Sequence, residues 1–475
     1  MVLAPWPSVT TLALILGLVG SVRSFTHDAQ HPLRPDLPAI NDHPSYPPRV
    51  DYAALYHDDG TTPPPDRMVL HPLHISGPEQ ERVSLTFFAD GYVAEEEGKF
   101  VADAQALTDD IVSPGGAMGH VSRLLNIYAV FVPSNTSGVG TYDKSLPGAA
   151  FGLYRPGPEL RGVYVRHHKR ARAACRYWRE EVKEGGCDQP ILLGNDPLYG
   201  GLGGEFTVIT ASALNGPLVL RHELGHSLIP VGEEYEGGFA YFGANSDKVA
   251  HVGDLKWKSF LTLPEDVRVE DAKVPSQEYP WYNLTEGPYN ITFQSSNSAL
   301  KPVVSHGSNE SPYPTALLRL SLSSIPQPGH INLTLNSRHI DLSAAFPKSW
   351  VGSKDRRWVE VPLENGLPAG ENVVDVRLTQ EGAEEQEGEG GKMITSLEIM
   401  EYGREGRFNE SLGFIGAFPT YSMDGRVTLR PTNEECLMRK VNHPTFCPVC
   451  AAALEQSLLG KIERKNKNQG AKQEP

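Results

Sequence analysis

The stretch from Arg221 to Tyr235, Arg-His-Glu-Leu-Gly-His-Ser-Leu-Ile-Pro-Val-Gly-Glu-Glu-Tyr, constrains this chain more than any other. Just before it, Asn215 and Gly216 can cap a helix and Pro217 suits its first position, while Leu218, Val219, Leu220, Leu224 and Leu228 place apolar groups around most of its circumference. Such a helix is expected to be buried. His222 and His226 project from one face with rings close enough to share a zinc ion, and Glu223 stands beside them, where it can activate a water. Pro230 cannot continue the hydrogen-bond ladder and disfavours helical geometry at Ile229, and Gly232 permits a sharp turn. The chain therefore reverses soon after His226, which can swing Glu233 or Glu234 back towards the imidazoles. Three protein ligands with one open position make a catalytic zinc site, whereas four closed ligands make a structural one. The alternative is a surface helix with two solvated histidines, and the abrupt stop, the acidic residues and the apolar surroundings all argue against it.

A chain of 475 residues, 39% of them hydrophobic, has room for about two or three domains and can build a substantial core. Its net charge of −15 and pI near 5.5 argue against a nucleic-acid partner and against electrostatic binding to anionic membranes. The apolar run from Leu12 to Val22 is too short for a membrane span, and Val22-Arg23-Ser24 offers the small residues of a signal-peptide cleavage site, so residues 1–24 are expected to be removed. With no second apolar run long enough to cross a bilayer, a secreted, extracellular, soluble protein without a membrane partner is expected. Glycan acceptor tripeptides at Asn135, Asn283, Asn290, Asn309, Asn332 and Asn409 agree with that compartment. Cys175 and Cys187 are expected to form a local disulfide. Cys436, Cys447 and Cys450 would supply a second disulfide and a leftover thiol, or hold a structural metal ion for which the sequence shows no obvious fourth ligand.

Along the chain, residues 25–80 are proline-rich and read as an extended leader that wraps onto the next domain, or as a propeptide. From 81 to 264 the pattern is strand (Val83–Phe88), amphipathic helix (Glu95–Val112), strand (Leu125–Val132), strand (Glu205–Thr210) and then the histidine-bearing helix, an α/β arrangement with a cleft beside that helix. The basic stretch from Arg161 to Arg179 reads as a solvated helix face rather than an acidic-substrate site. The glycine-rich run Leu198–Gly204 lacks the Lys-Ser/Thr of a phosphate loop and reads as a turn into the following strand, which could form the cleft edge where an extended peptide adds. Short alternating segments between 265 and 424 predict an inserted all-β, sandwich or jelly-roll-like domain, with the acidic run Glu381–Gly391 as a flexible hairpin tip. Residues 425–460 return to the first domain and end in a short helix, and 461–475 read as a disordered tail.

Several blocks together resemble the IgA peptidase family of zinc metallopeptidases, a branch of the zincins: Phe88-Ala-Asp90-Gly91-Tyr92 with Glu96 and Phe100; Asn126-Ile-Tyr128 and Val132-Pro-Ser134; Tyr199-Gly-Gly; His222-Glu223-Leu-Gly-His226-Ser227; Glu234-Tyr235; Lys256-Trp-Lys258; and Cys436-Leu-Met438-Arg439 with Phe446-Cys-Pro-Val-Cys450. The resemblance implies a zincin-like metallopeptidase domain interrupted by the β domain. It implies zinc bound by His222 and His226, Glu223 as general base, and a protein or peptide substrate. Where the family shows Asp-Glu-Tyr this chain has Glu233-Glu234-Tyr235, which makes Glu233 the third ligand and leaves Glu234 beside it. Met438 resembles the methionine that lies under the zinc in related enzymes, and Tyr235 is placed to donate a hydrogen bond to the oxyanion. A monomer is expected. A reading from another class remains, in which an inactive peptidase domain accompanies a carbohydrate- or protein-binding β domain; a zinc amidase acting on a non-protein substrate is a third.

Overall fold

A computed structural model describes residues 60–182, 185–238, 241–298, 311–388 and 390–473. The expected signal peptide, most of the proline-rich leader and the Asn309 tripeptide lie outside the described residues. The chain has mixed helix and sheet architecture, with several sheets and few helices.

The first layer is a six-stranded sheet in the order Val69–Ile75, Leu125–Phe131, Val83–Asp90, Gln189–Gly194, Thr207–Thr210, Gly201–Leu202. Its four central strands run parallel and its two edge strands antiparallel. Parallel strands must be covered on both faces, and here alternate residues serve each face. Leu85, Phe87, Ala89, Ile127 and Ile191 face one apolar cluster together with Phe100, Ala104, Leu107 and Ile111 of helix Glu97–Val112 and Leu220, Leu224 and Leu228 of helix Gly216–Leu228. Phe88, Val130, Leu192 and Val208 face the other, under Ala171, Ala174 and Trp178 of helix His168–Glu180. A disulfide joins Cys175 on that helix to Cys187.

The basic helix is thus only partly a solvated face, since Arg172 is buried and paired with Glu205 at 2.5 Å. The end of the proline-rich segment wraps onto the sheet as the edge strand Val69–Ile75, so the layer begins before residue 81. At the other edge, Gly201–Leu202 flanks Thr207–Thr210 and takes the edge position expected for the longer strand. The C-terminal helix is not confined to the segment before 460 but runs from Pro448 to Gln473, through most of the tail expected to be disordered. Lys465 accounts for part of that extension, because its ammonium finds Glu79 and Asp188, each at 2.9 Å, instead of solvent.

Residues 272–402 supply two antiparallel sheets. One runs Ala272–Glu278, Met393–Tyr402, Thr315–Ser323, Arg357–Leu363, with Tyr282–Asn283 beside Met393–Tyr402. The other runs Tyr289–Gln294, Glu371–Leu378, Ile331–Leu335, Arg338–Ile340. Leu318, Leu320, Val359 and Leu397 of the first share one apolar cluster with Phe293, Leu333, Val374 and Val376 of the second. The acidic run is less a bare hairpin tip than expected: Gln380–Glu384 forms a short helix capped by the Thr379 hydroxyl. Ile415, Ala417 and Leu429, on either side of the expected boundary at 424, belong to the same apolar cluster as the histidine-bearing helix.

Two polar clamps join this β region to the first layer. Asp355 accepts hydrogen bonds from the Tyr199 N–H and the Ser212 hydroxyl, both at 2.6 Å, and the Arg356 carbonyl accepts from the Asn215 side chain at 2.8 Å. Asn215 therefore does not cap its helix with its side chain, as expected from sequence, but anchors the helix start to the β region. In the second clamp Arg319 pairs with Glu360, Glu398 and Glu434, while Arg439 pairs with Glu236, Glu398 and Glu434.

Candidate metal centre and active site

Helix Gly216–Leu228 presents the motif, and its position is over-determined. Arg221 pairs with Asp110 of the neighbouring helix, and the Ser227 hydroxyl meets Thr207 Oγ1 at 2.9 Å and donates to the Gly204 carbonyl at 3.2 Å. The helix ends at Leu228; Ile229 is extended, as the following proline requires, and Val231 pairs with Gly243 across the turn. Gly243 has φ +83°, and a Cβ there would lie 1.9 Å from the Pro230 carbonyl, so the turn is open only to glycine.

The turn returns Glu233 to the imidazoles. Its Oε1 lies 3.0 Å from His226 Nε2 and its Oε2 3.3 Å from His222 Nε2, and the two Nε2 atoms are 3.3 Å apart. Glu234 points elsewhere, towards Asn245 and Cys450. The other ring nitrogens face backbone carbonyls, His222 Nδ1 at 3.1 Å from Leu437 O and His226 Nδ1 at 3.3 Å from Val231 O. Donation at Nδ1 leaves the Nε2 lone pairs free for a metal.

These residues fit zinc. Zinc–nitrogen bonds of about 2.0–2.1 Å arranged tetrahedrally place two nitrogens about 3.3–3.4 Å apart, the spacing these imidazoles already have. Two imidazoles and one carboxylate also form a set of three that leaves one position open. Burial opposes charge at Glu233, yet His226 and His222 hold its carboxyl well below the ordinary range. Burial likewise opposes a charged His226, but Glu233 and then Glu223 raise that imidazole to about 9. Burial pushes the Glu223 carboxyl up, against the pull of both histidines, which suits a group that must accept and return a proton. Glu223 Oε1 is buried with no hydrogen-bond partner among the described residues.

Met438 lies under the helix. A Cβ added at Gly225 would sit 2.8 Å from Met438 Sδ and 3.1 Å from the Phe446 ring. Met438 O also accepts from the Glu234 N–H at 3.1 Å, so one short segment, Leu437–Met438, supports both His222 and the Glu233–Glu234 turn. Gly225→Ala tests this packing. Relief of glycine's flexibility in a helix favours alanine by about 0.5–1 kcal/mol, but overpacking a filled core costs about 1–3 kcal/mol. We expect a net loss of about 1 kcal/mol in urea unfolding and weaker metal retention. A more stable variant would show that Met438 does not form a fixed floor.

Tyr235 is buried, and its carbonyl accepts from the Tyr241 hydroxyl at 2.9 Å. Sequence reasoning assigned no chemistry to Tyr199. Its hydroxyl is buried with no partner among the described residues, and burial together with the charges of Glu223, Asp355 and Glu233 raises its pKa despite Arg356. Its place within the glycine-rich run Leu198–Gly204 was the available signal. That loop touches Glu223 directly: a Cβ at Gly203 would come 2.6 Å from its Oε2. Other blocks of the resemblance are scaffold. Asp90 accepts from the N–H groups of Phe151, Gly152 and Leu153; Tyr92 donates to Asp103 at 2.8 Å; Lys256 binds the Gly243 and Ser246 carbonyls; and the Trp257 indole donates to Gly416 O at 2.8 Å.

His222, His226 and Glu233 form a cluster that could hold a metal ion. Residues 71–260 match the family model of the IgA Peptidase M64 family, which supports a peptidase. No curated protein matches the chain. Among solved structures, a β-porphyranase of glycoside hydrolase family 86 from the human gut bacterium Bacteroides plebeius aligns with 14% identity over 28% of this chain, with a TM-score of 0.18. The chain spans about a fifth of that protein's length, 20%, and the likeness is too slight to carry any argument.

Proposed function

We propose that this protein is a secreted zinc-dependent metalloendopeptidase, zincin-like in its first layer and interrupted by an all-β sandwich. The observation that carries the reading is the approach of the Glu233 carboxylate to two imidazole nitrogens 3.3 Å apart, beside the unpartnered Oε1 of Glu223. His222, His226 and Glu233 would hold zinc, which supplies Lewis acidity and lowers the pKa of a water in the open position.

The remaining chemistry belongs to the side chains. Glu223 takes the proton of the attacking water as it adds to the peptide carbonyl, then returns that proton to the departing amine. Burial raises its pKa, which strengthens it as a proton acceptor. Tyr235, and Tyr199 in the glycine-rich run, carry the phenolic hydroxyls suited to donate to the oxyanion. The Leu437 and Val231 carbonyls keep both imidazoles in the ligating tautomer throughout.

The Cys175–Cys187 disulfide and the glycan acceptor tripeptides support the secreted reading. Among the described residues no helix is long and apolar enough to cross a membrane. The substrate class is polypeptide, and a monomer suffices because this chain alone supplies every group named. Degradation of casein by the purified protein tests the proposal. A chelator is expected to abolish it and added zinc to restore it; cleavage indifferent to chelation would overturn the metal-dependent reading.

A further inference from the structure

A second cluster lies on the far side of the Glu233–Glu234 turn. One donor atom from each of Glu234, Cys436, Cys447 and Cys450 lies within 4.8 Å of all the others, and all four residues are buried. The three sulfurs are free thiols, contrary to the expected second disulfide. Glu234 is the fourth donor that the sequence did not reveal, because it stands about 200 positions upstream of the cysteines and is brought to them only by folding.

We propose that Glu234, Cys436, Cys447 and Cys450 form a structural metal site for zinc, separate from the histidine set. Tetrahedral zinc–sulfur bonds of about 2.3 Å place neighbouring donors about 3.8 Å apart, and Cys450 Sγ lies 3.6 Å from Glu234 Oε1. Asn245 donates to that oxygen at 2.8 Å, while the other, Oε2, is buried without a hydrogen-bond partner among the described residues. A buried carboxylate oxygen with no partner is costly, and a cation removes that cost. The Cys447 N–H points at Cys436 Sγ, 3.4 Å away, and Cys447-Pro-Val-Cys450 opens helix Pro448–Gln473, where the helix dipole favours sulfur anions. Each thiol that ligates releases its proton to solvent, and no oxidant or reductant takes part. Four protein donors close the coordination sphere, the arrangement of a structural ion.

Position gives the site its consequence. Glu234 adjoins Glu233, and Cys436 adjoins Leu437, whose carbonyl orients His222. A metal across the four donors staples the turn to the Leu437–Met438 segment, holds both sides of the histidine set, and shields three thiols from oxidation in a disulfide-forming compartment.

The test uses the full chain, dialysed and then reloaded with zinc or cobalt. Wild type is expected to bind two equivalents of zinc, His226→Ala one, and Cys450→Ser one with lower thermal stability. Should Cys450→Ser fail to fold, cobalt-loaded wild type and His226→Ala still decide the matter. Both are expected to show an intense thiolate-to-cobalt charge-transfer band in the near ultraviolet, which imidazole and carboxylate ligands do not give. A single zinc equivalent lost entirely in His226→Ala, absence of that band, or a disulfide among Cys436, Cys447 and Cys450 in non-reduced peptide mapping would each overturn the proposal. These readouts are independent of peptide cleavage, so a failure here is distinguishable from a failure of the peptidase reading.

Discussion

Glu223→Gln is expected to bind zinc as wild type does and to lose peptide hydrolysis by about 10²–10⁴-fold, the usual contribution of a positioned general base. The substitution keeps the side chain's size and one oxygen but removes the site that accepts a proton. Glu223 is not one of the three converging donors, so the His222–His226–Glu233 set stays intact. The position is also sensitive to shape, since the Gly203 backbone packs against Glu223 Oε2; an amide fits there where a larger side chain does not. Because the loss falls on the chemical step, kcat should drop while KM stays near its wild-type value. Metal analysis alongside casein kinetics checks both halves. Full activity with bound zinc would remove Glu223 from the mechanism, whereas loss of the metal would show that its carboxylate contributes to holding the ion.

Arg439→Met is expected to cost about 3–5 kcal/mol in urea unfolding, the range for removing one partner from a buried ion-pair network. The guanidinium is fully buried, sits 3.2 Å from Glu236 Oε1 and 3.0 Å from Glu434 Oε1, and donates to the Glu234 carbonyl at 3.2 Å. Methionine fills similar volume, so the loss reports charge rather than a cavity. Glu236 retains Arg430, and Glu434 retains Arg319, which keeps the cost from rising further. The pH dependence follows from Glu434. Burial opposes its charge, but Arg319, then Arg439 and Lys440, hold its carboxyl well below the ordinary value of 4.5. A depressed folded-state pKa stabilises fully above the unfolded value of about 4.3, and the gain is lost as pH falls through the lower folded value. Glu434's contribution to the gap between variant and wild type should therefore be constant near neutrality and narrow in acid, whereas Glu236, which burial raises to about 7 against the pull of Arg439, adds a dependence around neutrality. A gap under about 1 kcal/mol at neutral pH, typical of an exposed pair, would show that the network is not closed to solvent.

How much was readable in advance varied with the range of the interactions. The helix carrying His222, Glu223 and His226 was legible with both ends, because Pro217 and Pro230 act through local backbone chemistry. Three of the four parallel strands and the alternating segments of the β region were legible from their apolar runs and side-chain period, whereas Gln189–Gly194, at the centre of the sheet, was not. The edge strand Val69–Ile75 was hidden in a proline-rich segment because its pairing partner lies about 55 residues away. The long final helix was missed because Lys465 finds acids in a 3-10 turn, Glu79, and a loop, Asp188, rather than apolar neighbours. Asn215 read as a cap and is instead an anchor, since only folding brings the Arg356 carbonyl to it.

By itself the sequence determined which groups share a helix face: two imidazoles one turn apart with a carboxylate beside them, and a break that turns the chain back towards them. Only the tertiary structure decided between Glu233 and Glu234. The two are adjacent in a non-helical segment, where consecutive side chains can point to opposite sides, so one faces the imidazoles and the other faces three thiols. Which side each takes is set by Asn245, Met438 and the cysteines, residues that reach the turn only when the chain has folded.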